Sequence, residues 1–300
     1  MEDFMREAIE VRAPYDFRRM LTRIQSRPTS LTWVDMTAGQ WARVLYVEGE
    51  PVPVRVSFSG TVEKPRLLVE SPIVGNRQAL ILAEVRRLLS VEVPLEPFLA
   101  QAALRPEWIT VLSRWAGYRV ILDGDPFESL VRTVIGQQIH VAVAAKLVDR
   151  LVVRAGRRIT FEDISLGVFP RADTLRHWSS EEWTALGFSA PKARYLTTLA
   201  AVAADEGWNG KTFQEMSDDA VMKRLLPLPG IGRWTAECFL IFGLGRLDVV
   251  PAGDLGLQRA LQRLYGWSQK PSESEVREVL APFQPWRSLA TLYLWQSLLP

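Results

Sequence analysis

The chain changes its punctuation once, near Pro94, and that change limits the fold more than any other feature of it. Before it, β-branched and aromatic runs at residues 44–47, 52–58 and 67–69 are divided by Gly49-Glu50-Pro51, Ser59-Gly60 and Lys64-Pro65. Such runs suit pleated, half-buried backbone, and such breaks suit tight turns. Residues 31–34 form a fourth candidate strand, and apolar spacing predicts helices over 14–26 and 76–89. After Pro94, strand-like runs almost vanish and helix signals take over for two hundred residues. The clearest start has Asp125 as N-cap, Pro126 at the first helical position and Glu128 three residues beyond the cap. Phe127, Leu130, Val131, Val134 and Ile135 then fall on one buried face. Further helices are expected over 141–154, 180–186, 190–205, 218–226, 233–242, 255–265, 273–280 and 286–298. The predicted class is α+β. An antiparallel sheet with helices occupies residues 1–110, and a mainly α-helical domain occupies 111–300.

Composition narrows the chemistry. Apolar residues at 48% and charged residues at 23% describe a globular chain able to build its own core. One cysteine, Cys238, excludes a disulfide framework and any cysteine-held cluster, and two histidines make a histidine-built zinc site untenable. No run approaches the roughly 20 apolar residues that span a bilayer. The opening Met1–Glu7 stretch lacks the basic-then-apolar pattern of a signal peptide, so the cytoplasm is the expected compartment. A net charge of +2 neither demands nor excludes nucleic acid. Of the 36 basic residues all but six are arginines, whose planar fork of donors suits phosphate; codon usage explains the same bias equally well.

Leu228-Pro229-Gly230-Ile231-Gly232 lies between two predicted helices. Its prolines end the first helix, while its glycines permit unusual backbone angles and leave amides uncovered by side chains. With a helix starting at once, those amides and the positive helix end form a seat for an anion, a DNA phosphate being a natural occupant. On glycine spacing alone, a plain helix–helix turn is as good a reading. The neighbours separate the two. Leu228 to Ala236 resembles the helix-hairpin-helix of DNA glycosylases, and specifically the helix-hairpin-helix–Gly/Pro–Asp superfamily, whose aspartate follows some twenty residues on. Val250-Pro251-Ala252-Gly253-Asp254 supplies it. Val134-Ile135-Gly136-Gln137-Gln138-Ile139, the segment from Gly187 to Leu196, and Pro285-Trp286-Arg287-Ser288 with Trp295 are similar to the alkylpurine branch of the AlkA type (DNA-3-methyladenine glycosylase II). The resemblance covers residues 110–300 strongly and the first hundred only in general character.

It implies a monofunctional enzyme that flips out and hydrolyses alkylated purines of the 3-methyladenine and 7-methylguanine type, leaving an abasic site in double-stranded DNA. It also implies no cofactor, no metal and no membrane association, and a monomer is expected. A monovalent cation held by hairpin carbonyls with DNA bound is an option. Asp254 would be catalytic. It is also well placed as the N-cap of the next helix, whose amides favour the charged carboxylate, suited to face a cationic transition state. Asp248, the rival carboxylate, falls outside the family position and reads as structural.

Trp234 stands where strand-cutting members carry a Schiff-base lysine, so water is the expected nucleophile. With Trp295 it matches aromatic pocket positions, where electron-rich faces attract a flat cation; as two of eleven tryptophans, both read equally as core. Asp254 and Trp234 are expected on facing walls of a cleft. Cys238 replaces an aromatic pocket residue and reshapes that pocket. Gln137 and Gln138, at a break between helices, would together fill the gap left by the flipped base, or simply end a helix. DNA contacts are expected from Leu228, Gly230, Ile231, Gly232, Arg233 and Thr235, with a solvated Arg233 as the alternative. Two other functions stay open: a glycosylase for deaminated or etheno bases, and a non-catalytic helix-hairpin-helix module that recognises distorted DNA.

Overall fold

Strands and helices separate in space much as they do along the chain. In the computed structural model, which describes residues 4–72 and 76–299, an antiparallel sheet is followed by a helical body. Met1, Glu2 and Asp3, part of the stretch read above for signal-peptide character, lie outside the described residues. The sheet has the order β1-β5-β4-β3-β2, formed by β1 (Phe4–Glu10), β2 (Thr32–Asp35), β3 (Gln40–Val47), β4 (Glu50–Gly60) and β5 (Pro65–Pro72). Between β1 and β2 runs α1 (Phe17–Gln25), capped by the Asp16 carboxylate on the Arg19 amide. No described helix is long and apolar enough to cross a membrane.

Trp41, Leu45, Val54, Val56 and Val69 turn one face of the sheet into the main core. The other face is not left to water. Ala42 and Val44 meet Ile164, Leu166 and Val168 of a β-hairpin, β6 (Arg157–Phe161) and β7 (Ile164–Val168), that reaches back from the helical body. This hairpin corrects the expectation that strands stop near Pro94. Its arginine-rich first strand buries only Phe161 at its end, so it lacks the even alternation of a half-buried strand. The Gly167 amide donates to Ser30 O at 2.6 Å, the Ser30 amide donates to Asp149 at 2.6 Å, and Arg55 pairs with Glu162 at 2.5 Å.

The helical body contains α2 (Gln78–Leu88), α3 (Glu96–Ala103), α4 (Ile109–Trp115), α5 (Pro126–Gly136), α6 (Val141–Ala155), α7 (Ala172–Leu175), α8 (Ser180–Ala185), α9 (Ala190–Asp205), α10 (Asp218–Leu225), α11 (Arg233–Phe242), α12 (Leu255–Tyr265), α13 (Glu273–Leu280) and α14 (Arg287–Ser297). Phe98 of α3 and the neighbouring Trp108 pack on Phe283, and Phe98 also packs on Tyr293 of α14. Residues 96–110, placed with the sheet by the sequence, therefore pack with the last helix. On the sheet side, buried Arg43 of β3 reaches Glu128 of α5 at 2.8 Å, and Arg132 reaches the same carboxylate at 3.0 Å. A Cβ on Gly124 would fall 2.4 Å from Glu128, so this ion cluster requires the glycine.

Candidate active site

α11 and α12 begin close together, and the carboxylate at the start of α12 is where they meet. Asp254 caps α12 by accepting the Leu257 amide on Oδ1 at 2.7 Å. Two indoles converge on the same group: Trp234 donates Nε1–H to Oδ2 at 2.9 Å, and Trp295, from α14, donates Nε1–H to Oδ1 at 2.8 Å. Three N–H donors thus hold one carboxylate as an acceptor, and Oδ2, with a single partner, keeps a lone-pair direction open. All three side chains are only half-buried, so the cluster is open to solvent. Gly256 packs close beside it: a Cβ there would lie 3.0 Å from Asp254 Oδ1 and 3.4 Å from the Trp295 ring. Trp234 and Asp254 consequently share one wall, which corrects the expectation that they face each other. An indole edge is a hydrogen-bond donor as well as the rim of an aromatic face.

Trp234, Cys238 and Phe242 follow one another at four-residue spacing along α11, the spacing that aligns side chains on one helix face. Cys238 is 4% exposed and forms floor rather than wall. Burial, then the charge of Asp254, pushes its thiol well above the ordinary range, so it offers no thiolate. Phe242, not singled out in the sequence, stacks on Trp295 with ring centres 5.6 Å apart and planes 17° from parallel. Asp248 is held by Arg287 through contacts of 2.6 and 2.9 Å, a structural pair outside the cleft chemistry.

The loop before α11 has the geometry of an anion seat. Ile231, buried, donates its amide to Leu228 O at 3.1 Å, closing the turn, and half-buried Leu228 packs against the core. Gly230 has φ +80°, and a Cβ on it would fall 2.3 Å from the Tyr195 ring of α9, so both the backbone and the close approach demand glycine. Gly232 caps α11 without a side chain, which leaves the first-turn amides uncovered. Arg233 is exposed, with Glu237 3.8 Å away. Thr235, expected among the DNA contacts, is 2% exposed and turns its hydroxyl inward, so only its backbone amide can serve that role. The carbonyls of Leu228 and Gly230 each accept one hydrogen bond already; the lone pairs left over suit a weakly held cation but form no closed ligand set. Among the described residues no group of three His, Cys, Asp or Glu side chains could hold a metal.

The two glutamines part company. Gln137 is committed to the loop, donating Nε2–H to Gly230 O at 2.7 Å and to Thr235 Oγ1 at 2.8 Å. It therefore cannot reach outward beside its neighbour as expected. Gln138, exposed and at φ +58°, stands alone at the tip of the turn between α5 and α6. His140 caps α6, its Nδ1 accepting the Ala142 amide at 3.3 Å. The sequence gave no role to Lys192 beyond its place in a matching segment. Its ammonium donates to Ile135 O at 2.6 Å and Gln137 O at 2.8 Å, closing the open end of α5. Burial draws its pKa below the usual lysine value. α9 thus holds the loop through Tyr195 and the Gln138 turn through Lys192.

Comparisons with known proteins bear on the family and the fold. The profile of the HhH-GPD superfamily, described as base excision DNA repair proteins, matches residues 131–285, just over half the chain. YfjP of Bacillus subtilis, provisionally named a DNA-3-methyladenine glycosylase, is 27% identical over 294 residues, covering 98% of this chain and 99% of its own. DNA-3-methyladenine glycosylase 2 of Escherichia coli is 35% identical over 174 residues, 58% of each chain. The solved 3-methyladenine DNA-glycosylase from Archaeoglobus fulgidus shares the fold with a TM-score of 0.85 over 97% of both chains, at 24% identity.

Proposed function

The chain belongs to the HhH-GPD superfamily of base excision DNA repair proteins, and on that footing we propose that it is a monofunctional DNA glycosylase that releases alkylated bases by hydrolysis. The observation that carries this reading is the partly exposed Asp254 carboxylate, held by two indole N–H groups and one amide. Cleavage breaks the C1′–N bond, the electron pair leaves with the base, and the sugar gains oxocarbenium character. A fixed carboxylate, with its Oδ2 lone pair open, stabilises that charge without reorganising. Water then adds to C1′ and loses its proton, to Asp254 or to solvent, which leaves an abasic site. No amine competes for C1′: Trp234 has no nucleophile, and the Lys192 ammonium is occupied by two carbonyls.

Duplex DNA is the partner this reading requires. The uncovered amides after Gly232 would take a phosphate, with Arg233 beside them, and Gln138 would enter the stack as the damaged nucleotide turns out. Trp234 and Trp295 would line the base pocket above Cys238. The test is release of free bases from methylated duplex DNA by the native chain and by Asp254→Asn, with DNA binding measured in parallel. Methylated purines released by the native chain, and at least about a hundredfold more slowly by the variant at undiminished binding, are expected. Binding with no release by the native chain would instead make this a recognition module.

A further inference from the structure

One arginine of the amino-terminal domain reaches the aromatic cluster beside Asp254. Arg23, in the last turn of α1, places its guanidinium carbon 4.6 Å from the centre of the Phe242 ring. Phe242 is stacked on Trp295, and Trp295 is bonded to Asp254, so three side-chain contacts lead from the amino-terminal domain to the candidate catalytic group. The same arginine is near enough to Cys238 for its charge to act on the thiol, opposing that of Asp254. Arg23, Phe242, Trp295 and Asp254 therefore form one unbroken run of contacts, with Cys238 within reach of the charges at both its ends.

Among the described residues, no carboxylate stands within ion-pair distance of Arg23. Nor does one pair with Arg27, one turn further on and half-buried. Burial, and after it the charge of Arg23, draws the Arg27 pKa down to about 10. Two neighbouring guanidiniums without counter-ions are costly to keep at a half-buried seam. The Asp254 carboxylate already receives three N–H donors.

Resting on the glycosylase reading above, we propose that Arg23 is a specificity-determining residue of the base pocket, favouring flipped bases that are uncharged and present a hydrogen-bond acceptor over bases that carry a positive charge. Phe242 covers one face of the guanidinium, and the donor edge stays available. A carbonyl or ring nitrogen on the base receives a charge-assisted hydrogen bond from that edge. A base alkylated at a ring nitrogen and left cationic meets a like charge in a site of low dielectric. The aromatic walls attract either kind of base, so the discrimination falls to the guanidinium.

The experiment compares single-turnover release of 7-methylguanine, which is cationic, with that of 1,N6-ethenoadenine and hypoxanthine, which are neutral. The proteins are the native chain, Arg23→Ala and Arg23→Glu. Removing the charge is expected to shift the ratio of cationic to neutral release upwards by about tenfold, and reversing it to shift the ratio further. Added salt should narrow the native preference. A ratio that stays within about twofold in both variants overturns the assignment, even where both rates fall together as a packing defect would make them. A native chain that releases none of the three bases overturns the glycosylase reading itself, and this proposal with it.

Discussion

Two helices of this molecule begin in the same way and end up doing different work. Asp125 starts α5 and Asp254 starts α12; each accepts the amide three residues on, at 2.8 and 2.7 Å. Asp125 is half-buried, beside the buried Glu128. Burial, then the nearby Glu128, raises its pKa from the ordinary 3.8 to about 6. Asp254 is partly exposed and collects two further donors, so its carboxylate is fixed in place and still within reach. A helix cap becomes a candidate catalytic group through what surrounds it; the two caps share the aspartate and its bond to the third amide, while Pro126 and Glu128 have no counterpart at Leu255 and Leu257.

The same substitution at both positions tests that contrast most directly. Asp254→Asn should lower base release at least about a hundredfold, because an amide cannot accept from both indoles and the backbone at once. Asp125→Asn should leave release unchanged, since asparagine caps a helix as well as aspartate does. Equal losses at both positions would erase the distinction. Next in size, Trp234→Phe keeps the ring and removes one donor to the carboxylate; single-turnover release should fall about 10- to 100-fold with little change in DNA affinity. A loss of affinity without a loss of rate would make Trp234 a packing residue.

A smaller effect is expected at the far end of α5. Lys192→Met frees the carbonyls of Ile135 and Gln137, and the Gln138 turn with them. Flipping, followed by the fluorescence of 2-aminopurine beside the lesion, should slow by about tenfold while binding to undamaged duplex holds, and Lys192→Arg should restore it. The smallest effect is a slope. A carboxyl whose folded pKa is raised contributes stability that is fully present below 3.8 and is lost as pH rises through about 6. Denaturation between pH 4 and 7.5 should show native stability falling across that window by on the order of 2–3 kcal/mol relative to Asp125→Asn. Parallel curves for the two proteins would place the Asp125 charge outside the folding balance.

Much of this was legible in the residues, and the remainder was unreadable for definite reasons. The start of α5 was plain because Asp125, Pro126 and Glu128 each act within one turn. Gly230 and Gly232 were plain because a tight turn is a local demand. β1 is hard to read from sequence because only Met5 and Ile9 face the core, four residues apart, a spacing that strand and helix share. Phe242 and Arg23 could not be paired from a sequence in which they lie more than two hundred residues apart. Gln137 and Gln138 looked alike side by side. Their opposite roles follow from a single backbone change, the left-handed turn at Gln138, which sends one side chain in and the other out.

The β6–β7 hairpin has a mechanical consequence. Because it is laid across the back of the sheet, with Gly167 bonded to Ser30 and Glu162 paired with Arg55, any rocking of the sheet against the helical body must break those contacts. With the contacts kept, the bending falls to the duplex. Where a damaged base has already softened its own stacking, that deformation costs less. Stiffness in the enzyme thus becomes a gauge of pliancy in the DNA, applied before any atom of the base is touched.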